Sequence, residues 1–411
     1  MHTLGSRSSF WTAAAVAGLA LWGSAAPTVV YPSYEQEWRL SAAVTTAIFA
    51  VYPLVLIPVL ILFGNLSDAK GRRFTILLGL AALGAGSAVF GLAPDLTVVF
   101  VGRAFMGVGV GLALSPATAA MVEFGGPHGA ARASSTTTAS TAAGLALATI
   151  VGGALVQYAP DPVHLSFWVL LGMVVLVGGA VWFLPRHTRD DQAPVWRPRP
   201  LRVPRGLRGA FVAGALGISA AYAAGAVFLA LGALIAAQLV RSSNVFLNGT
   251  IIAIAAIVIG VVAILARRVA PRTALTVGPI VSLVGFGLLV ASGSAHSLAL
   301  FILAAIGVGT GYSLLFAGGL GVLTAAAPAH HRASLISSAY VVGYFAQAVA
   351  ALGLGALATS GGLELSLEVG GVAIGLIGVG ALLAARLGTL TFREEAGPRR
   401  MVATDTASSR L

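Results

Sequence analysis

The side chains able to do chemistry in this sequence fall into four small groups. The first is Gly64-Asn65-Leu66-Ser67-Asp68-Ala69-Lys70-Gly71-Arg72-Arg73, which sets a carboxylate and three cations between two long apolar runs. Gly64 and Gly71 allow a very tight turn without a Cβ clash. Asp68 can face the positive N-terminus of a neighbouring helix, and Arg72 and Arg73 can fork onto carboxylates. The second group is Arg103 alone, a cation inside an apolar run. Such a residue costs at least about 2.5 kcal/mol on insertion scales. It therefore faces a cavity, finds a partner, or snorkels to the headgroups. The third is a set of aromatic and polar residues on apolar runs: Trp22, Tyr52, Tyr222, Tyr312, Tyr340, Tyr344 and Gln347. Tyr340, Tyr344 and Gln347 follow i, i+4, i+7 spacing and share one helix face. Lining a cavity, they would stack flat or amphipathic molecules; singly, each Tyr could belong to an interfacial belt. The fourth is Glu35 and Glu37 in Tyr31-Pro32-Ser33-Tyr34-Glu35-Gln36-Glu37-Trp38, either surface charges or a port for protons.

What must position these groups is a membrane. Only 9% of the 411 residues are charged and 58% are hydrophobic, against about 25% charged in a soluble domain. Runs of about 20 apolar residues span a bilayer, and twelve are present, near 10–30, 41–63, 74–93, 97–121, 134–157, 163–184, 209–236, 245–266, 273–292, 297–323, 333–358 and 367–390. With the N-terminus inside, 21 of the 24 Lys and Arg fall on the inner side, Arg39 and Arg241 on the outer, and Arg103 within a span. That bias sets both termini in the cytoplasm. It also explains the net charge of +11 as a topology signal rather than a nucleic-acid surface. Met1–Arg7 followed by Ala13–Ala26 resembles a secretory signal, but the charge alternation of later loops requires this run to stay in the membrane.

Pro185–Arg208, rich in Pro and Arg, divides the spans six and six. The expected organisation is an all-α membrane protein with bundles at 1–184 and 209–390, a cytoplasmic linker at 185–208 and a cytoplasmic tail at 391–411. Asp190 and Asp191 in the linker read as charge balance rather than a metal pair, and with no cysteine there is no thiolate metal site. The halves repeat. Met106-Gly107-Val108-Gly109-Val110-Gly111 recurs as Ile306-Gly307-Val308-Gly309-Thr310-Gly311, Arg132-Ala133-Ser134 as Arg332-Ala333-Ser334, and Arg72 aligns with Arg272, all at an offset of 200. The glycine run lacks the strand and third glycine of a dinucleotide-binding loop and reads as close helix packing. His164 and His296 are expected on the outer surface, His330 and His331 on the cytoplasmic one.

The first group, Gly-x-Leu-Ser-Asp-x-x-Gly-Arg-Arg, resembles the signature loop between helices 2 and 3 of the major facilitator superfamily of transporters. The resemblance implies two pseudo-symmetric six-helix bundles that rock about a central site. It also implies a latch in which Asp68 faces the start of helix 11 and Arg72 pairs with an acid at the end of helix 4, here Glu123. The matching loop of the second half, Ala266-Arg267-Arg268-Val269-Ala270-Pro271-Arg272, lacks the glycines and the acid. Arg103-Ala104-Phe105-Met106-Gly107 is similar to a second family motif, associated with proton coupling. Helix 5 carries Gly144 and Gly152-Gly153, but where proton-driven drug exporters show Gly-Pro it has Ala148-Thr149. Resemblance to the drug:proton antiporter branch is thus partial.

No span carries Asp or Glu near its centre. The sequence predicts a transporter exporting small amphipathic or drug-like compounds, driven by the proton gradient, with no cofactor and no metal. It would work as a monomer in the cell membrane, with a small-molecule substrate, lipid around it and no nucleic-acid partner. Uptake of a small organic anion held by Arg103 is the alternative. A membrane-embedded enzyme or a non-transporting receptor is the rival class. An enzyme would need an intramembrane metal motif or a nucleophile beside a base, and no such motif is visible.

Overall fold

The computed structural model describes residues 3–185, 203–327 and 329–395. Asp190 and Asp191, most of the linker, the tail from 396 and the side chains of His330, His331 and Arg332 lie outside the described residues. Every regular element described is helical. The first six spans are α1 (Ser6–Ala25), α2 (Ala42–Phe63), α3 (Arg72–Gly91), α4 (Leu96–Phe124), α5 (Gly129–Tyr158) and α6 (Leu165–Trp182). Then come α7 (beginning Arg208–Ala226), α8 (Val245–Leu265), α9 (Pro271–Ser294) and α10 (Leu298–Ala326). Polar side chains mark several starts: Asp95, Asn244 and Ser297 each accept a hydrogen bond from the backbone N–H three residues on, capping α4, α8 and α10.

The last helical stretch, Ala329–Glu395, is broken at Gly362, whose φ of 90° and ψ of 161° are not helical. Ser366 Oγ donates to the Leu354 carbonyl at 2.7 Å. Twelve residues of unbroken helix would hold those groups about 18 Å apart, so the chain doubles back at Gly362. The two arms are α11 (329–361) and α12 (363–395). Among the described residues eleven stretches are long and apolar enough to cross a membrane, and this hairpin makes the last of them two. Twelve spans result.

The first six spans pack among themselves, as do the last six, and the bundles meet where α2 lies on α11 and α5 on α8. Small residues allow these approaches. A Cβ on Gly153 would stand 2.9 Å from the Val245 carbonyl, and one on Gly249 or Gly355 would collide with Thr149 or Thr46 across the interface. Inside the first bundle Gly144 is pressed in the same way on Gly18 of α1. Four cross-bundle hydrogen bonds cluster at the face away from the termini. They are Thr28 Oγ1 to Leu229 O, Ala43 N to Thr359 Oγ1, Gln238 Nε2 to Glu35 Oε2 and Val245 N to Gln157 Oε1, at 2.7–2.9 Å.

The internal repeat is real but its register differs from the one read in the glycine runs. α4 and α10 correspond end to end at an offset of 202, Leu96 to Leu298 and Phe124 to Ala326. Gly107 of α4 faces the Tyr52 carbonyl and Val55 of α2; its counterpart Gly309 faces the Ala255 carbonyl and Val258 of α8. The match at 200 pairs Gly107 with Gly307, which instead faces Gly285 of α9. Alternating glycines look alike when slipped by two, but two residues turn a helix by about 200° and so point to different neighbours.

Candidate functional site

Between α2 and α3 the polar loop forms a single turn, Leu66–Lys70, then reverses at Gly71 with φ 92° and ψ 152°. An L side chain rarely adopts that φ, which accounts for glycine there. The reversal throws Arg72 back over the turn. Its Nη1 donates to Asp68 Oδ1 and, at 2.6 Å, to Ser67 Oγ, while its Nε donates at 3.0 Å to Glu123 Oε1 at the end of α4. Asp68, Arg72 and Glu123 therefore form one cluster at the face bearing the N-terminus. Arg73 is directed elsewhere: its guanidinium lies 5.1 Å over the Trp182 ring and donates to the Leu184 carbonyl, tying α3 to the end of α6. Gly64 closes α2. The side chains at the start of α11, where the family resemblance puts the element facing Asp68, are outside the described residues. In the equivalent turn of the second half, Arg267, Arg268 and Arg272 are exposed, and none is in an ion pair among the described residues.

Arg103, two turns into α4, is wholly buried at 0% exposure, so it does not snorkel. Its Nη1 donates to the Ser24 carbonyl of α1 at 2.9 Å. Its guanidinium lies 5.4 Å over Phe49 and 4.9 Å over Tyr52, both on α2. Cation–π contact and one carbonyl hold the charge. Gly107, one turn further along α4, lets α2 come close enough: a Cβ there would stand 2.8 Å from the Tyr52 carbonyl.

Four of the predicted aromatic residues converge with a fifth in the second bundle. Tyr222 of α7 stacks on Tyr312 and Phe316 of α10 at 6.3 and 5.9 Å and meets Tyr344 of α11 at 4.8 Å. Phe316 stacks on Tyr340 of α11 at 6.1 Å. Gly225 and Gly343 make room, since a Cβ at either would press on the Tyr312 or Tyr222 ring. All five rings are half-exposed. They come from three helices and point at one another near mid-height, so the exposure is to an internal space, not to surrounding lipid. Tyr52, 2% exposed, belongs to a small apolar cluster with Ala20, Leu56 and Val110, and Tyr344 of α11 packs against that cluster across the bundle interface. Trp22 and Gln347 are each 8% exposed, Trp22 within the main apolar core and Gln347 with a buried, unpartnered Oε1.

At the far face the two glutamates part company. Glu37 is exposed. Glu35 accepts from Thr45 Oγ1 at 3.1 Å within its own bundle and from Gln238 Nε2 across the interface. Gln238 and Leu229, which hold the first bundle at this face, both sit on π-helical turns of α7, Val227–Leu231 and Ile235–Leu239. Such turns are rare and concentrate at functional sites. His164 bonds to Asp161 and His296 to the Leu239 carbonyl, both in loops at this face.

Sequence reasoning missed Phe49, Phe316 and Gln238. Phe316 follows Tyr312 by one helical turn, a signal that was available. The reach of Gln238 to Glu35, 203 positions away, leaves none.

Residues 10–351 match the Major Facilitator Superfamily. The chain belongs to that superfamily. It is 33% identical to the uncharacterized MFS-type transporter EfpA of Mycobacterium tuberculosis over 159 residues, 38% of this chain and 30% of that one. It is 35% identical to the multidrug efflux pump LfrA of Mycolicibacterium smegmatis over 129 residues, 31% of this chain and 25% of the pump. The aligned part thus spans under a third of each of these relatives. Among solved structures, a bacterial homologue of the human lysosomal transporter Spinster, in an inward-facing and unoccupied conformation, superposes with a TM-score of 0.73. That pairing is 15% identical in sequence and covers 94% of this chain and 98% of the other. It fixes the major facilitator fold.

Proposed function

We propose that this transporter exports flat, amphipathic, drug-like compounds across the cytoplasmic membrane in exchange for protons. The observation that carries the reading is the cluster of five half-exposed rings facing an internal space near mid-height. Rings in that setting stack on flat ligands, whereas a sugar site would need many hydrogen-bonding groups. The partial identity to a multidrug efflux pump supports the export direction. The charge bias supports an orientation with both termini, and with them the Asp68–Arg72–Glu123 cluster, in the cytoplasm.

In this reading the bundles rock about the α2–α11 and α5–α8 contacts. The four cross-bundle hydrogen bonds close the outer face, and the Asp68 loop latches the inner face in the opposite state. The protein works as a monomer with no resident cofactor, the proton gradient being its energy source.

The test is accumulation of a fluorescent aromatic amphipath in cells that lack their own pumps. Expression should lower the steady-state level, an uncoupler should restore it, and Tyr222→Ala should abolish the difference. Equal accumulation with and without the protein would end the reading, and a raised level would reverse the direction.

A further inference from the structure

We propose that the preferred substrate is an aromatic anion, whose acidic group is taken by the free edge of the Arg103 guanidinium while its ring system stacks in the tyrosine cluster. This rests on the export reading and narrows it to one charge class. Arg103 is wholly buried, yet only Nη1 has a hydrogen-bond acceptor; Nε and Nη2 have none. Those two atoms are neighbours along one side of the planar guanidinium. Their N–H bonds run parallel, in the fork geometry that matches the two oxygens of a carboxylate, sulfonate or phosphate. A buried charged donor without an acceptor is costly, so an open fork marks a place that an acceptor occupies during the working cycle.

The surroundings agree with a ligand as that acceptor. Phe49 and Tyr52 lie over the guanidinium at 5.4 and 4.9 Å, and Nε and Nη2 are buried without an acceptor, so an acid reaches them only once the neighbouring side chains shift. Among the described residues no carboxylate forms an ion pair with this cation. Tyr52 contacts Arg103, and Tyr344 of the aromatic cluster packs against the small apolar cluster to which Tyr52 belongs. The charge and the rings thus flank the same apolar cluster. The counterpart of Arg103 in the second bundle, at the offset of 202, is Ala305, so the cation is a feature of one half only. The same unpaired charge disfavours lipophilic cations.

The experiment is calorimetric titration of the full chain, in nanodiscs of zwitterionic lipid at pH 7.5, with three probes that share one ring system. These are 2-naphthoate, 2-naphthamide and 2-naphthylmethylammonium. A charge-assisted fork should favour the acid over the amide by roughly tenfold or more, and the ammonium should bind weakest. Arg103→Gln should bring acid and amide to about equal affinity. Arg103→Lys, which keeps the charge but loses the fork, should keep only part of the preference, and it decides the matter if the glutamine variant does not fold. Ammonium binding as tightly as naphthoate to the unaltered protein overturns the inference, as does an acid preference that survives both substitutions. Failure of all three probes to bind would instead remove the aromatic-substrate reading, and this inference with it.

Discussion

Replacing Gln238 tests the proposed outer closure, at the face away from the termini, at its most accessible point. Gln238 Nε2 donates to Glu35 Oε2 at 2.9 Å, and Glu35 keeps its second bond to Thr45 whatever happens at 238. A hydrogen bond to a buried charged acceptor contributes about 1.5–3 kcal/mol. Gln238 is exposed and Glu35 half-buried, so water competes and about 0.5–1 kcal/mol is the reasonable figure. Gln238→Leu should therefore shift the balance away from the outer-closed state by roughly two- to fivefold. Gln238→Glu does more, because it sets two carboxylates against each other. At an effective dielectric of about 20 and a separation of about 4 Å the repulsion is about 4 kcal/mol, and solvent screening brings it to about 2 kcal/mol, or roughly thirtyfold. The sign with pH follows: in acid one of the two carboxylates takes a proton and can donate to the other, so the outer-open bias is present near neutrality and lost as pH falls. The chain has no cysteine, so an Ala43→Cys/Thr359→Cys pair, placed where Ala43 N meets Thr359 Oγ1 at 2.9 Å, reports closure without background. Cross-linking should fall slightly with Gln238→Leu and strongly with Gln238→Glu, and recover for the latter in acid. Equal yields for all three proteins at every pH would refute the assignment of this contact to the outer gate.

Two further outcomes are expected. Asp68→Asn should abolish most transport while leaving the protein inserted and folded, since it removes a charge from the loop proposed to latch the inner face and nothing from the core; flux in vesicles beside a thermal unfolding curve measures both. Gly71→Ala should lower stability by about 1–3 kcal/mol, because residue 71 holds φ 92° and a side chain is strained there; the shift in unfolding midpoint reports it.

Much of this molecule is legible in its sequence for a physical reason. Lipid requires backbone polar groups to be satisfied within each segment, so apolar runs of sufficient length have to be helices. The Arg72–Glu123 pair was legible only through the resemblance of the loop to the family's signature, which implies an acid at the end of helix 4 as the arginine's partner. Arg73 was less legible: two adjacent arginines point different ways round a helix, and only packing shows that one meets Glu123 and the other Trp182. The helix 11 stripe placed Tyr340 and Tyr344 on one face, but not their meeting with Tyr222 and Phe316, which depends on three helices packing at one height. The glycine repeat misled by two residues because alternating glycine has no unique register. Glu35 and Glu37 look equivalent in the sequence, and only the approach of α7 separates a clasped carboxylate from an exposed one.

The exchange of protons for an aromatic substrate is tested most directly in sealed vesicles holding the purified protein, with a pH step imposed across the membrane. Acidifying the side opposite the termini should drive a fluorescent aromatic substrate toward that side against its own gradient, with protons moving the other way and both fluxes lost on Asp68→Asn. Substrate movement that follows only its own gradient, indifferent to the pH step, would contradict coupled export.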